Sequence, residues 1–183
     1  MGLLKAAELR GATHQAGMEF QVVTDKRLPT IRAGRAAITF HYRKDMASVS
    51  AGSEDRKIDT GRMKISSVEQ TVLDLVHYPH AAGGLVNIAT VIGDLAKRIA
   101  TAKLATLSAA FERSVIQRLG YLLDRFAYPE LSEALHTVLP KDSALPWTEL
   151  ERPKVAIAGL ALEPIERNAR WHVIARRVPE RDE

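Results

Sequence analysis

The side chains that could do chemistry in this 183-residue chain are few in kind. There is no cysteine, so disulfides, thiolate metal sites and cysteine nucleophiles are excluded. Of the six histidines, His14, His41, His136 and His172 are isolated, and only His77 and His80 are close, separated by Tyr78 and Pro79. No H-E-x-x-H and no carboxylate at a completing spacing accompanies that pair, so it reads as surface or helix-end histidines rather than metal ligands. A nuclease would need an acid followed by an acid-x-lysine triplet on adjoining strands, with carboxylates holding Mg²⁺ and lysine stabilising developing charge. Asp45 followed by Asp55-Arg56-Lys57 fits that pattern loosely, and such triplets are common in charged loops. A serine nucleophile would need a G-x-S-x-G elbow, which the chain lacks. Ser66 reads instead as a helix cap, and Asp74 as a solvated or salt-bridged acid on the polar side of a helix. Neither G-x-x-x-x-G-K-[ST] nor G-x-G-x-x-G occurs. Gly83-Gly84 precedes a helix and reads as a plain turn. The residues therefore indicate no catalytic group, no cofactor and no metal.

Charge carries more information. The formal net charge is +4. Residues 1–65 hold twelve lysines and arginines against seven acids, whereas residues 66–183 are close to balance. A basic half indicates an anionic partner, nucleic acid or acidic protein, or else a solvated surface. The candidate contact residues for nucleic acid or a partner are Lys26, Arg27, Arg32, Arg35, Arg43 and Lys44. No later segment reads as a basic recognition helix, so contacts through these six would fall mainly on phosphates.

The elements that position these residues follow from periodicity and punctuation. Residues 64–85 (KISSVEQTVLDLVHYPHAAGGL) form the organising stretch. A short strand reaches Ser66, which with Glu69 makes a capping box. Val68, Val72, Leu75 and Val76 then recur at helical spacing, and Pro79 with Gly83-Gly84 ends the element. Upstream, residues 3–10 read as a helix stopped by Gly11, and residues 19–24 as a strand. Residues 30–33 and 36–42 read as two strands around Gly34-Arg35. In the second of these, Ile38, Phe40 and Tyr42 alternate with Ala37, Thr39 and His41, as in a sheet with one covered face. Residues 46–51 read as a further short strand, and residues 52–60 as a loop or sheet edge.

Downstream, apolar spacing marks helices along Leu85–Ile99, Leu104–Phe111, Val115–Phe126 and, after Pro129, Leu131–Val138. Gly120 lies inside the third; glycine there costs about 1 kcal/mol against alanine, so close packing is the expected compensation. Arg118 and Tyr121 beside it read as structural. Residues 140–153 read as a loop anchored by Trp147, and residues 155–160 and 171–177 as closing strands. The fold class is α+β (or α/β), a single domain over 1–183. It comprises a β-rich basic part (1–65), a helical part of four to five helices (66–140), and a loop with closing strands (141–183). No run is long and apolar enough for a membrane span, and the cysteine-free composition fits the cytoplasm.

Several stretches together resemble the AbiEi antitoxins, the regulator half of a two-gene bacterial toxin–antitoxin pair often linked to phage defence. The residues that carry the resemblance are AAELRGATHQ with FQVVTDK, the centre KISSVEQTVLDLVHYPHAAGGLVNIATVI, then VIQRLGYLLD and the tail NARWHVIARRVPERDE. These are packing motifs rather than catalytic ones. The resemblance implies a non-catalytic domain opposing a nucleotidyltransferase-like toxin. In the family an N-terminal winged helix binds operator DNA, and no such segment precedes residue 3, so the antitoxin domain alone is expected. Two alternatives stay open: a nucleic-acid-binding regulator acting through the basic half, and an enzyme that modifies the toxin.

Overall fold

The computed structural model describes residues 1–12, 19–59, 61–140, 145–151, 163–177 and 179. Among the described residues, six α-helices run in chain order: α1 Leu3–Leu9, α2 Val68–His77, α3 Leu85–Ala96, α4 Thr101–Ser108, α5 Arg113–Arg125 and α6 Pro129–Val138. The strands are β1 Glu19–Thr24, β2 Ile31–Ala33, β3 Ala36–Tyr42, β4 Ser53–Ile58, β5 Gly61–Ser66, β6 Thr148–Glu149, β7 Glu166–Asn168 and β8 Val173–Ala175. Among the described residues they form three small sheets. In the first, β1 runs parallel to β3, and β2 pairs antiparallel on the other side of β3. The β4–β5 hairpin stands alone. In the third, β8 lies between a parallel β6 and an antiparallel β7. The architecture is α+β, with helices gathered around α2 and the sheets on the periphery.

The closing strands do not return to the basic sheet; they make a sheet of their own. Residues 155–160 lie outside the described residues, and β7 takes a place that the sequence did not indicate. Two other local expectations change. Residues 47–52 are a 3-10 helix rather than a strand, because Asp45 Oδ1 accepts the Ser48 backbone N–H at 3.1 Å and starts a turn there. Residues 53–58, read as a loop or sheet edge, are a strand, although every side chain of β4 is exposed. Its ladder to β5, from Ser53 opposite Ser66 to Ile58 opposite Gly61, makes the element.

α2 is the axis of the molecule. Every residue from Val68 to Val76 is buried, so α2 is enclosed on all sides instead of presenting one apolar stripe. Its N-cap is Ser67, not Ser66. Ser67 Oγ accepts the Gln70 N–H at 3.3 Å and donates to Glu69 Oε2 at 2.8 Å. Ser66 is the last residue of β5, and its N–H bonds the Met1 carbonyl. The Ser66–Glu69 capping box is therefore displaced by one residue. Glu69 reaches across instead to the Ala100 N–H, 2.9 Å away, at the start of α4. Burial pushes its carboxyl upward, but the Ala100 and Glu69 backbone N–H groups, the Ser67 hydroxyl and Lys103 outweigh that and leave it below the usual range. Because Ser67 is fully buried, Ser67→Ala should destabilise the fold by about 2 kcal/mol, readable as a lower midpoint in urea. Ser66→Ala should cost clearly less.

Around α2 pack α1, α3, α4, α5 and the end of β5. One contiguous core links Leu3 and Ala7 of α1, the apolar residues of α2 to α6, and Trp171, Val173 and Ala175 at the C-terminal sheet. Gly120 on α5 meets the Trp171 ring, which is the close packing that offsets glycine in a helix.

A candidate partner-binding face and the cavity beside it

The basic sheet shows which of its faces is covered. Parallel register places Phe20, Val22 and Thr24 of β1 beside Ile38, Phe40 and Tyr42 of β3, while Ile31 of β2 opposes Ile38. Side chains alternate between faces along a strand, so these residues share one face and Gln21, Val23, Ala37, Thr39 and His41 share the other. The second face is turned inward. Gln21 is buried, its Nε2 donating to the Ala81 carbonyl at 2.7 Å and its Oε1 accepting the Leu4 N–H at 2.9 Å. Val23 packs on the core, and His41 lies 5.5 Å from the Tyr78 ring. The more apolar face therefore looks outward and the more polar one inward. Hydrogen bonds from Gln21 to two different segments fix that choice, because reversing it would strand the buried amide.

The six sequence-derived contact residues separate into five and one. Lys26, Arg27, Arg32, Arg35 and Lys44 are exposed. Arg43 is not: it is 9% exposed and belongs to the interior. Its Nη2 donates to the Ala110 carbonyl at 2.8 Å, its Nε donates to the Asp45 carbonyl at 3.2 Å, and its guanidinium lies 4.2 Å from the Phe111 ring centroid. Its Nη1 is 3.9 Å from Asp74 Oδ1. Arg43 is thereby removed from the surface set. Nothing in the sequence around it distinguishes it from its exposed neighbours. The remaining five lie at the two ends of the sheet. Arg35 is in the β2–β3 turn and Arg32 on β2 beside it, whereas Arg27 covers the Tyr42 ring at 4.4 Å at the far end of β3. Seven residues of extended strand put about 20 Å between the ends.

Beneath the inner face lies Asp74, only 1% exposed. Of the solvated or salt-bridged acid expected on the polar side of the helix, the structure shows the salt-bridged one, buried and with Arg43 Nη1 3.9 Å from its Oδ1. Its Oδ1 accepts from Gln70 Nε2 at 2.9 Å. Burial pushes its carboxyl up to about 7, against smaller opposing pulls from the Gln70 amide, Arg43 and the Met1 ammonium. These residues join the sheet to α2; they are not open to a substrate.

Beside them opens a cavity of about 340 Å³ lined by His41, His77, Tyr78, Glu112, Arg118 and apolar residues of α2, α3 and α5. Burial lowers the His41 imidazole against a weaker pull from Glu19. It lowers His77 too, assisted by Arg43 and Arg118 against Glu112. Burial also pushes the Tyr78 phenol up to about 12, and its hydroxyl donates to the Tyr42 carbonyl at 2.9 Å. His41, His77 and Tyr78 pack their rings together and join the helix end to the sheet. Arg118 is spent on the C-terminal sheet, donating to the Glu149 carbonyl at 2.8 Å. That is the structural role its position beside Gly120 suggested.

No group of three or more His, Cys, Asp or Glu residues among the described residues could hold a metal ion. Asp45 caps the 3-10 helix, while Asp55 and Lys57 sit on the β4–β5 hairpin opposite Lys64 and Arg62. Gly83 and Gly84 both have positive φ and make the turn into α3. No helix among the described residues is long and apolar enough to cross a membrane.

Comparison with known proteins bears on these features. A search of the curated proteins finds no match. Among solved structures, the chain is similar to the RV2827C protein from Mycobacterium tuberculosis, with a TM-score of 0.65 at 16% sequence identity. That alignment covers 95% of this chain and 61% of the other, so this chain spans less than two thirds of that protein's length. The likeness is one of fold. The sequence model of the AbiEi antitoxin C-terminal domain matches residues 1–125, which takes in α1 to α5, the basic sheet and the hairpin. The chain belongs to the AbiEi antitoxin C-terminal domain family.

Proposed function

We propose that this domain restrains a nucleotidyltransferase-like toxin in a bacterial two-gene system, in the cytoplasm, and does so without catalysis of its own. The family match over residues 1–125 carries the reading. The geometry agrees with it. Polar groups that sequence reading weighed for chemistry are engaged in the fold: Asp74 with Gln70 and Arg43, Asp45 as a cap, and Ser66 with its hydroxyl on the Met1 carbonyl. What stands open is a surface. Growth of cells expressing the neighbouring gene, with and without this chain, is the test. Expected is arrest by the neighbour alone and recovery on co-expression. A neighbour that is not toxic, or arrest that persists with the soluble chain present, removes the antitoxin reading.

A second reading is binding of nucleic acid by Lys26, Arg27, Arg32, Arg35 and Lys44, all exposed. Phosphate-driven binding weakens steeply with salt. Five phosphate contacts would reduce duplex affinity by about three orders of magnitude between 50 and 200 mM salt. The absence of binding even at low salt would dispose of this reading.

A further inference from the structure

We propose that the cavity enclosed by α2, α3, α5 and the segment after β6 is a binding site for a small organic cation, a protonated amine carried on an apolar or aromatic body. The proposal goes beyond the antitoxin reading and does not depend on it. At about 340 Å³, the cavity falls at the small end of the range for ligand pockets, about 300–1,000 Å³. It has room for about ten non-hydrogen atoms. Its walls are mostly apolar: Val76 from the end of α2, Leu85 and Ile88 from α3, Val115 and Leu122 from α5, and Leu150 beyond β6. Apolar walls with a few convergent polar groups are the usual form of a small-molecule site.

The polar groups give the sign of the ligand. Glu112 and Glu151 both line the cavity, and neither carboxylate has a hydrogen bond or ion pair among the described residues. Glu112 is the N-cap of α5, yet its side chain caps nothing. Glu151 stands over the turn into α3, where a Cβ at Gly84 would meet its Oε1 at 3.8 Å. His77 likewise makes no hydrogen bond among the described residues. Burial, Arg43 and Arg118 lower its imidazole against the pull of Glu112, and a neutral imidazole keeps one nitrogen as an acceptor.

Against these acceptors stands the Arg118 guanidinium, and it is already committed to the Glu149 carbonyl and the Thr148 hydroxyl. An anionic ligand would therefore meet two carboxylates of its own sign in a poorly solvated space, whereas an ammonium gains charge-assisted hydrogen bonds from them. Glu112 is exposed and Glu151 half-buried, so the ligand's charged end would sit toward solvent and its apolar body against the inner walls. A bare metal ion is a poor occupant, because no group of three or more His, Asp or Glu among the described residues could hold one. The cavity also takes in His41 of β3, so an occupant would touch the basic sheet, the helices and the C-terminal segment together.

The test titrates the purified full chain with phenethylamine, with its neutral counterpart phenethyl alcohol and with the anion hydrocinnamate, following backbone amide chemical shifts by NMR. Wild type is compared with Glu112→Gln, Glu151→Gln and Asp55→Asn, the last removing the same charge from the exposed strand β4. Expected are saturable shifts at the end of α2, the turn into α3 and the start of α5, with the amine at least tenfold tighter than the alcohol and the anion weakest. Glu112→Gln and Glu151→Gln should each weaken the amine severalfold and leave the alcohol unchanged, while Asp55→Asn changes neither. Because both glutamates lack protein partners, the two variants should keep the wild-type spectrum. As a check that needs no variant, binding of the amine to wild type should weaken with added salt and that of the alcohol should not. No saturable shift with the amine would overturn the site. Equal affinity for amine and alcohol, or an equal loss in Asp55→Asn, would overturn the assignment of a cationic ligand, and saturable shifts confined to other surfaces would overturn its location.

Discussion

Replacing Gly120 with alanine is expected to destabilise this domain by about 3 kcal/mol, and to lower its melting temperature by about 10 °C at this chain length. On helical propensity alone the change would stabilise by about 1 kcal/mol. The opposite sign follows from where the new methyl would go. A Cβ at Gly120 would overlap Cη2 and Cζ3 of Trp171. Those are ring atoms of a rigid, fully buried side chain, not the far end of a flexible one. Nor can the indole slide away, because its Nε1 donates to Asp124 Oδ2 at 2.6 Å on the same helix and His136 lies edge-on at 5.4 Å. Relief must come from backbone movement of α5 or of the C-terminal sheet. A double-mutant cycle isolates the cause. Trp171→Ala alone should cost about 4 kcal/mol, but in that background Gly120→Ala should be neutral or stabilising. Equal costs in both backgrounds would show that the indole is not what excludes the methyl.

The second large effect concerns Asp74 and pH. Burial raises its folded carboxyl to about 7 from an ordinary 3.8. Between those values the folded chain keeps a proton that the unfolded chain has lost. This group's contribution therefore falls as pH rises through about 4 to 7, by up to about 1.4 kcal/mol per pH unit, and is constant above that window. Asp74→Asn, which retains an oxygen for the Gln70 amide, should abolish this component. Chemical denaturation of both proteins at several pH values checks it. The stability difference between variant and wild type should grow in the variant's favour from pH 4 to 7, on the order of 4 kcal/mol in total. Parallel profiles would mean that Arg43, whose Nη1 stands 3.9 Å away, keeps Asp74 ionised throughout.

Much of the helical frame was legible in the sequence, because apolar spacing and punctuation agree there. Pro129 opens α6, Gly11 closes α1, and the periodic residues of α5 are buried as read. β1 and β3 were legible from β-branched and aromatic residues between turns. Other features have no local signal. β4 reads SEDRKI and is wholly exposed; only its ladder to β5 makes it a strand. The cap slipped by one residue because two serines are adjacent, and the S-x-x-[EQ] pattern fits Ser67–Gln70 as well as Ser66–Glu69. The burial of Asp74 was not legible because the stripe argument assumes a helix with a wet side, and α2 has none.

The candidate surface was half legible. Basic residues identify the sheet as the charged part of the chain, and alternation identifies two faces. Which face turns inward is decided by Gln21, whose two hydrogen bonds reach Leu4 and Ala81, seventeen and sixty residues away. Arg43 was counted among the surface cations because its partners, Ala110 and Phe111, come from the far side of α4. Contacts of that sequence separation leave no trace in local pattern.

Growth of cells expressing the neighbouring gene, with and without the full chain, tests the antitoxin reading most directly. The account predicts arrest by the neighbouring gene alone and recovery when the chain is expressed with it. Arrest that persists in the presence of the chain would contradict it.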